Sequence, residues 1–114
     1  MSVRDITYLE LIHSSIEMVL NYTDAKEEEI FLRDDILKDA CLMRLTVIGE
    51  YGGKLSEGLK MKFSEVEWSQ IKAARNFYVH AYDAIDWLKV WDVIKIDLPK
   101  LELQIKKVIT EIDR

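Results

Sequence analysis

Apolar residues recur at intervals of three and four along most of the chain, which is the spacing of one face of an α-helix. The first such segment covers about residues 4–21 and the second about residues 34–51. A third is expected over about 65–82 and a fourth from 86 onward, with apolar positions continuing to the end of the chain. The pattern predicts an all-α protein that folds as an antiparallel bundle of four to five helices.

Residues with strong positional preferences indicate where the first helices begin and end. Thr23 or Asp24 is expected to cap a short helix that carries three glutamates at 27–29 in its first turn. Gly52 and Gly53 are expected to end the second long helix, because glycine readily adopts the left-handed conformation of a helix C-cap.

The second half of the chain carries similar signals. Residues 54–65 indicate an irregular connection with one helical turn. Ser64 and Glu67 have the spacing of a capping box, which would begin the third long helix near residue 65. Asp86 is the expected N-cap of the fourth helix, and Pro99 is expected to end or kink it, since proline lacks a backbone N–H.

Length and composition indicate one domain over residues 1–114. Hydrophobic residues make up 49% of the chain, enough for a core without disulfides or metal. Cys41 is the only cysteine and has apolar neighbours, so we expect an inert buried thiol. The first residues lack the apolar stretch of a signal peptide, and no apolar run approaches the roughly 20 residues of a membrane span. A cytoplasmic protein is therefore expected.

Charge is distributed unevenly along the chain, whose net charge is −5. Residues 1–59 carry 6 basic and 12 acidic groups, and residues 83–114 carry 6 and 7. Residues 60–82 carry 4 basic and 2 acidic groups, so they form the one locally positive stretch. The acidic total argues against a protein that coats nucleic acid generally, but an anionic ligand could bind near residues 60–82.

Several kinds of chemical site find little support in the sequence. His13 and His80 are the only histidines, and neither has a second histidine or cysteine at ligand spacing, so no metal and no cofactor are expected. The glycines lack the lysine and hydroxyl pattern of a phosphate-binding loop. Asp34 and Asp35 fit a helix start, and His13, among apolar neighbours, is assigned a structural role.

The third helix combines an apolar side with an unusual polar side. At about 100° per residue, Tyr82 lies near Arg75 around the helix, while Asn76 and His80 lie about 100° and 140° away. Surface helices usually present lysine and glutamate, whereas arginine with histidine suits anion binding and proton transfer. His80 could handle the proton of a 2′-hydroxyl or of the leaving group, and Arg75 could stabilise the charged transition state.

These residues resemble a known motif. Arg75, a polar residue after it, and His80 resemble the R-x4–6-H signature of HEPN ribonucleases. The longer set of Arg75, Asn76, Val79, His80 and Tyr82 resembles the R-N-x-x-V-H-x-Y of the HepT toxins. The resemblance implies a HEPN-like bundle with Arg75 and His80 as catalytic residues and Asn76 as a supporting or substrate-binding residue.

The similarity extends along nearly the whole chain. Residues 48–50 resemble the family's I-G-E, and the segments 68–71 and 91–99 match its layout. Glu50 could reach the floor of the site. Two positions depart from the pattern: Ala74 stands where methionine is common, and Glu67 where proline often precedes the tryptophan. Neither position belongs to the proposed chemistry.

The resemblance also implies partners. Family members are homodimers whose two motifs meet near the interface, and the 140° between Arg75 and His80 supports a site composed from two copies. They are the toxins of type VII toxin–antitoxin pairs, which act on RNA, with tRNA and mRNA as candidate substrates. An MntA-like nucleotidyltransferase antitoxin transfers AMP onto the motif tyrosine, here Tyr82.

Two other interpretations remain open. The chain could be a HEPN subunit without catalysis that binds nucleotide or substrate for a partner nucleotidyltransferase. It could also be a simple helical dimerisation adaptor, although the polar side of the third helix would then have no explanation. Trp68, Trp87 and Trp91 fit core or interface positions better than base-stacking platforms.

Overall fold

The computed structural model describes residues 3–72, Arg75 and residues 82–112, and of Tyr82 only the backbone. The described residues are helical with turns and contain no strand, which confirms the all-α fold. The elements in chain order are α1 (Val3–Tyr22), α2 (Glu28–Arg33), α3 (Asp35–Lys54), α4 (Glu57–Lys62), α5 (described over 68–72, with Arg75 also helical), a 3₁₀ turn (Tyr82–Ala84), α6 (Trp87–Asp92), a π-helical turn (Val93–Asp97) and α7 (Leu98–Ile112).

The bundle is centred on α1, which packs most extensively against α3 and also against α7. The short helix α2 packs on α3 and α6. Buried apolar side chains line the inner face of α1 at the spacing that the sequence predicts, and they are Leu9, Ile12, Ile16 and Val19. On α3 the prediction is only partly correct: the helical spacing places Ile36 and Met43 on the buried side, but their side chains are 84% and 57% exposed. In this described part of the chain, no helix has the length and apolar character to cross a bilayer.

Aromatic side chains close the end of the core under α2. Phe31 is fully buried, with its ring centroid 5.0 Å from that of Trp91 and 6.2 Å from that of Trp87. Trp68 is also buried, and its indole N–H donates to the Phe63 carbonyl at 3.0 Å. Trp68 and Trp91 are therefore core residues, as predicted, and Trp87 packs against the core at its edge.

A buried carboxylate ties the start of α1 to the start of α4. Asp5 is 2% exposed, and its two carboxylate oxygens accept from the backbone N–H of Ser56 at 3.0 Å and from its hydroxyl at 2.6 Å. The Ser56 hydroxyl oxygen in turn accepts from the backbone N–H of Leu59 as the N-cap of α4. The one helical turn expected between residues 54 and 65 is thus α4, anchored by this network.

The prediction that Gly52 and Gly53 end the second long helix is wrong. The helix α3 runs through both of them to Lys54, and no glycine within the described ranges has a positive φ. Both glycines instead face α5. The lack of a side chain at these positions allows the two helices to pack closely, and it does not mark a change of backbone direction.

Two predicted caps are also wrong. The Thr23 hydroxyl donates to the carbonyl of Val19 at 2.9 Å, so it closes the end of α1, and α2 begins at Glu28. The helix α5 begins at residue 68 rather than near 65, because the first backbone N–H groups of that turn donate to the carbonyl of Glu67. The predicted cap at Asp86 is confirmed, since its side chain accepts from the N–H of Lys89 at 3.2 Å.

Of the two effects expected at Pro99, an end or a kink of the helix, the end does not occur. Residues 87–112 are helical throughout, with the π-helical turn directly before Leu98. The N–H of Leu98 donates to the carbonyl of Val93, five residues earlier. Because proline has no N–H and its ring clashes with the carbonyl four residues before it, the widened turn accommodates the ring without interrupting the helix.

Candidate functional site

Three glycines on α3 allow α5 to pack unusually close to it. A Cβ on Gly49 would lie 3.0 Å from the Cα of Arg75 and 3.1 Å from its backbone nitrogen. A Cβ on Gly52 would lie 2.7 Å from Cγ2 of Ile71, and one on Gly53 would lie 3.4 Å from Cγ of Lys72. A Cβ on Gly49 would also overlap the Cβ of Arg75, and real Cβ atoms essentially never show this overlap or an approach of 2.7 Å. The glycines therefore determine how near the backbone of Arg75 comes to α3.

Arg75 forms an ion pair with the residue that follows Gly49. Its Nε lies 2.8 Å from Oε2 of Glu50. The two side chains are 37% and 41% exposed, and Lys54 Nζ lies 3.9 Å from the other carboxylate oxygen of Glu50. The carboxylate attracts the guanidinium and helps to hold it at the surface, where an anion can reach it.

The structure describes the predicted site residues to different extents. Arg75 lies on the α5 helix as expected, and Tyr82 begins the 3₁₀ turn, with only its backbone described. Asn76 and His80 lie outside the described residues, so their position relative to Arg75 stays a prediction. The structure shows that Glu50 pairs directly with Arg75, whereas the sequence indicates only that it could reach the site.

A cavity of about 520 Å³ opens beside this contact. Its walls come from α3, α5, the π-helical turn and α7, and Gly49 belongs to its lining. Ile48, Ile71 and Leu98 contribute apolar surface, while Lys100 is one of the charged residues of the lining. The site thus combines a held guanidinium with a neighbouring concave, largely apolar surface.

Cys41 takes no part in this chemistry. The side chain is fully buried in the core, and this burial raises the pKa of its thiol to about 11 from 9.0, although the charge of Lys95 opposes the shift. A thiol with a raised pKa is a poor nucleophile at neutral pH. The predicted burial of this thiol is confirmed.

Comparisons with known proteins identify the family. The model of the family named Ribonuclease HepT-like matches residues 12–108. A Methanocaldococcus jannaschii protein named as a gamma-glutamylcyclotransferase and candidate RNase is 33% identical over 107 residues, which are 94% of this chain and 48% of that protein. This chain therefore spans about half the length of that relative. No solved structure matches the chain.

Two shorter relatives match over most of their length. A candidate RNase of the same organism is 27% identical over 114 residues, which are 99% of this chain and 98% of the relative. A candidate ribonuclease HepT of Thermococcus cleftensis is 30% identical over 100 residues, which are 88% of this chain and 91% of the relative. The chain belongs to the HepT-like ribonuclease family.

Proposed function

We propose that this chain is a metal-independent endoribonuclease that cleaves RNA with Arg75 and His80. The observation that carries the proposal is the Glu50–Arg75 ion pair, built on the glycine contact between α3 and α5 in a chain of a ribonuclease family. An arginine serving only as a surface charge would need neither the close backbone approach nor a carboxylate that orients it.

The proposed chemistry divides between the two residues. His80 accepts the proton of the attacking 2′-hydroxyl or donates one to the leaving 5′-oxygen, because imidazole exchanges protons near neutral pH. Arg75 pairs with the phosphate oxygens through its guanidinium as charge builds on them in the transition state. Glu50 acts through Arg75 as a positioning residue. Neither catalytic role requires a metal ion.

A homodimer would complete the site. In a continuous helix, Arg75 and His80 are about 140° apart, so one copy does not direct both at a single phosphate. Two copies related by a two-fold axis could supply the arginine of one and the histidine of the other. Size-exclusion chromatography with light scattering is expected to show at least a dimer, and a fully active monomer would contradict the composite site.

The toxin–antitoxin role rests on family membership and on Tyr82. A nucleotidyltransferase antitoxin would add AMP to Tyr82, two turns from Arg75 along the predicted helical stripe, and the added phosphate would compete with RNA for the guanidinium. Both proteins would act in the cytoplasm. Incubation with the antitoxin and ATP should add the mass of AMP to the wild type and not to Tyr82→Phe. Equal labelling of the variant would place the modification elsewhere.

Cleavage of RNA by purified protein tests the enzymatic proposal. His80→Ala and Arg75→Ala should each lower the rate by about 10²–10⁴ while retaining the helical circular dichroism spectrum. Arg33→Ala, which removes an exposed arginine on α2, is the matched control and should cleave normally. EDTA should leave the rate unchanged at temperatures well below unfolding. Full activity of His80→Ala would overturn the proposed chemistry, and wild-type protein that binds RNA without cleaving it would favour the non-catalytic subunit.

A further inference from the structure

A histidine and two glutamates meet where α1 packs against α7. His13 and Glu17 are one turn apart on α1, and Nδ1 of His13 lies 3.3 Å from Oε1 of Glu17. Glu102 reaches them from α7, and one potential ligand atom from each of the three residues lies within 4.8 Å of the others. This cluster involves a different pair of helices from the Glu50–Arg75 contact.

The cluster borders the core rather than standing free in solvent. The His13 side chain is 21% exposed and follows the buried Ile12. Glu102 is partly buried and lies between Leu98 and Ile105 on the face of α7 that carries its buried residues. Glu17 is the most open member, with a side chain that is 50% exposed. The packing of two helices, rather than chance rotation of surface side chains, thus brings the three residues together.

The charge of the cluster lacks compensation from basic side chains. Over residues 3–72, Arg75 and residues 82–112, no lysine or arginine forms an ion pair with Glu17 or Glu102. In the same described part of the chain, the buried Nε2 of His13 has no hydrogen-bond partner. Two carboxylates held close together repel each other. A bound cation would relieve the repulsion between the carboxylates.

We propose that His13, Glu17 and Glu102 bind a divalent transition metal ion such as Zn²⁺, which links α1 to α7. Imidazole nitrogen with carboxylate oxygen suits zinc and its neighbours, whereas Mg²⁺ and Ca²⁺ prefer oxygen ligands alone. Ligands at about 2.1 Å in tetrahedral geometry lie about 3.4 Å apart, close to the His13–Glu17 distance, so only a small movement of Glu102 is needed. The fourth position would hold water.

This ion would stabilise the bundle and take no part in RNA cleavage. The sequence does not predict the site because His13 has no second histidine or cysteine at ligand spacing. The carboxylate that completes the cluster instead lies on the last helix. The His-x3-Glu spacing on α1 is a local signal, but it is equally typical of an ordinary pair one helical turn apart.

Thermal unfolding of the full chain, first dialysed against EDTA and then given ZnCl₂, tests the proposal without RNA. Zinc should raise the unfolding midpoint of the wild type by about 3–8 °C, and equilibrium dialysis should find one bound ion per chain. MgCl₂ at the same concentration should cause little change. Glu102→Gln and Glu17→Gln retain the size of the side chain and should lose most of the shift.

The control variants remove the same charge elsewhere on the same helices. Glu10→Gln on α1 and Glu111→Gln on α7 alter exposed carboxylates and should retain the full response to zinc. An equal zinc response in Glu102→Gln, or no response in the wild type, would overturn the proposal. Because no RNA is present, failure here is distinguishable from failure of the ribonuclease proposal.

Discussion

Two contacts made by neighbouring helices are built in opposite ways. Where α1 meets α3 and α7, large apolar side chains interdigitate, and members such as Leu9, Ile16 and Ile105 have no exposed surface. Where α3 meets α5, α3 has glycines at the closest points of contact. The lack of a side chain at Gly49 and Gly52 allows α5 to pack directly against the backbone of α3. In the first contact, large side chains fill the space between the helices and exclude water. The second contact instead places a charged residue, Arg75, at a defined position.

The energies of the two contacts differ accordingly. Complete burial of one leucine or isoleucine contributes about 1.5–3 kcal/mol to folding. A partly exposed ion pair such as Glu50–Arg75 contributes about 0–1 kcal/mol. The core therefore supplies most of the stability, while the α3–α5 contact determines where the guanidinium lies. Substitutions in the two regions should consequently affect different measurements.

The largest effect on stability is expected at Phe31. Phe31→Ala should lower the free energy of unfolding by about 3–5 kcal/mol, because it leaves a cavity against Trp87 and Trp91. Urea unfolding followed by circular dichroism measures the loss. The fraction that remains folded should cleave RNA at the normal specific rate, and a specific rate that falls with stability would show that the two regions are not separable.

The opposite result is expected at Gly49. Gly49→Ala should lower the cleavage rate about 100-fold, because the new methyl group overlaps Arg75 and displaces α5 from α3. The free energy of unfolding should fall by only about 1–3 kcal/mol.

Gly58→Ala provides the matched control for that change. It lies on α4, where a Cβ meets no atom within 4 Å. This variant should keep full activity and gain about 0.5–1 kcal/mol of stability from helix propensity. Equal activity of the two variants would show that close packing at Gly49 is not needed for function.

The same distinction explains what the sequence predicts and what it does not. The buried stripe of α1 follows from helical spacing alone, because the burial of large apolar groups depends on local periodicity. Gly52 has two possible roles, a C-cap or a close packing position, and only the tertiary partner Ile71 decides between them. The π-helical turn before Pro99 likewise depends on how the helix packs. Several single-residue signals therefore give wrong boundaries, although the cap at Asp86 is correct. The periodic signal is correct for α1 but not for Ile36 and Met43 on α3, which are exposed.

The candidate site shows a similar division. Arg75 is predictable because an uncommon residue type stands in a recognisable motif. The direct pairing of Glu50 with Arg75 is not predictable from spacing, because the two residues are on different helices and come together only through the glycine contact. The resemblance of residues 48–50 to I-G-E is the one signal in the sequence that indicates Glu50.

A smaller loss is expected when the ion pair is altered without a change of shape. Glu50→Gln should lower the cleavage rate about tenfold, since Arg75 loses the charge that orients it. Stability should change by less than about 1 kcal/mol. Glu57→Gln, which removes the exposed carboxylate of the Glu57–Lys60 pair on α4, is the control and should leave the rate unchanged. Normal cleavage by Glu50→Gln would mean that packing alone positions Arg75.

The smallest effect concerns Cys41 and appears only at high pH. Burial holds the pKa of its thiol at about 11 in the folded chain against 9.0 for an exposed thiol. Above about pH 9 the unfolded chain loses this proton while the folded chain retains it, so the stability contributed by the neutral thiol declines as the pH rises toward 11.

The difference in unfolding free energy between wild type and Cys41→Ala should be constant from pH 6 to 8 and shrink by at most about 2 kcal/mol by pH 10.5. Urea unfolding of both proteins at each pH cancels the titration of lysines and tyrosines that they share. A difference that stays constant to pH 10.5 would show that water reaches Cys41, and that the core around α1 and α3 is less dry than its packing indicates.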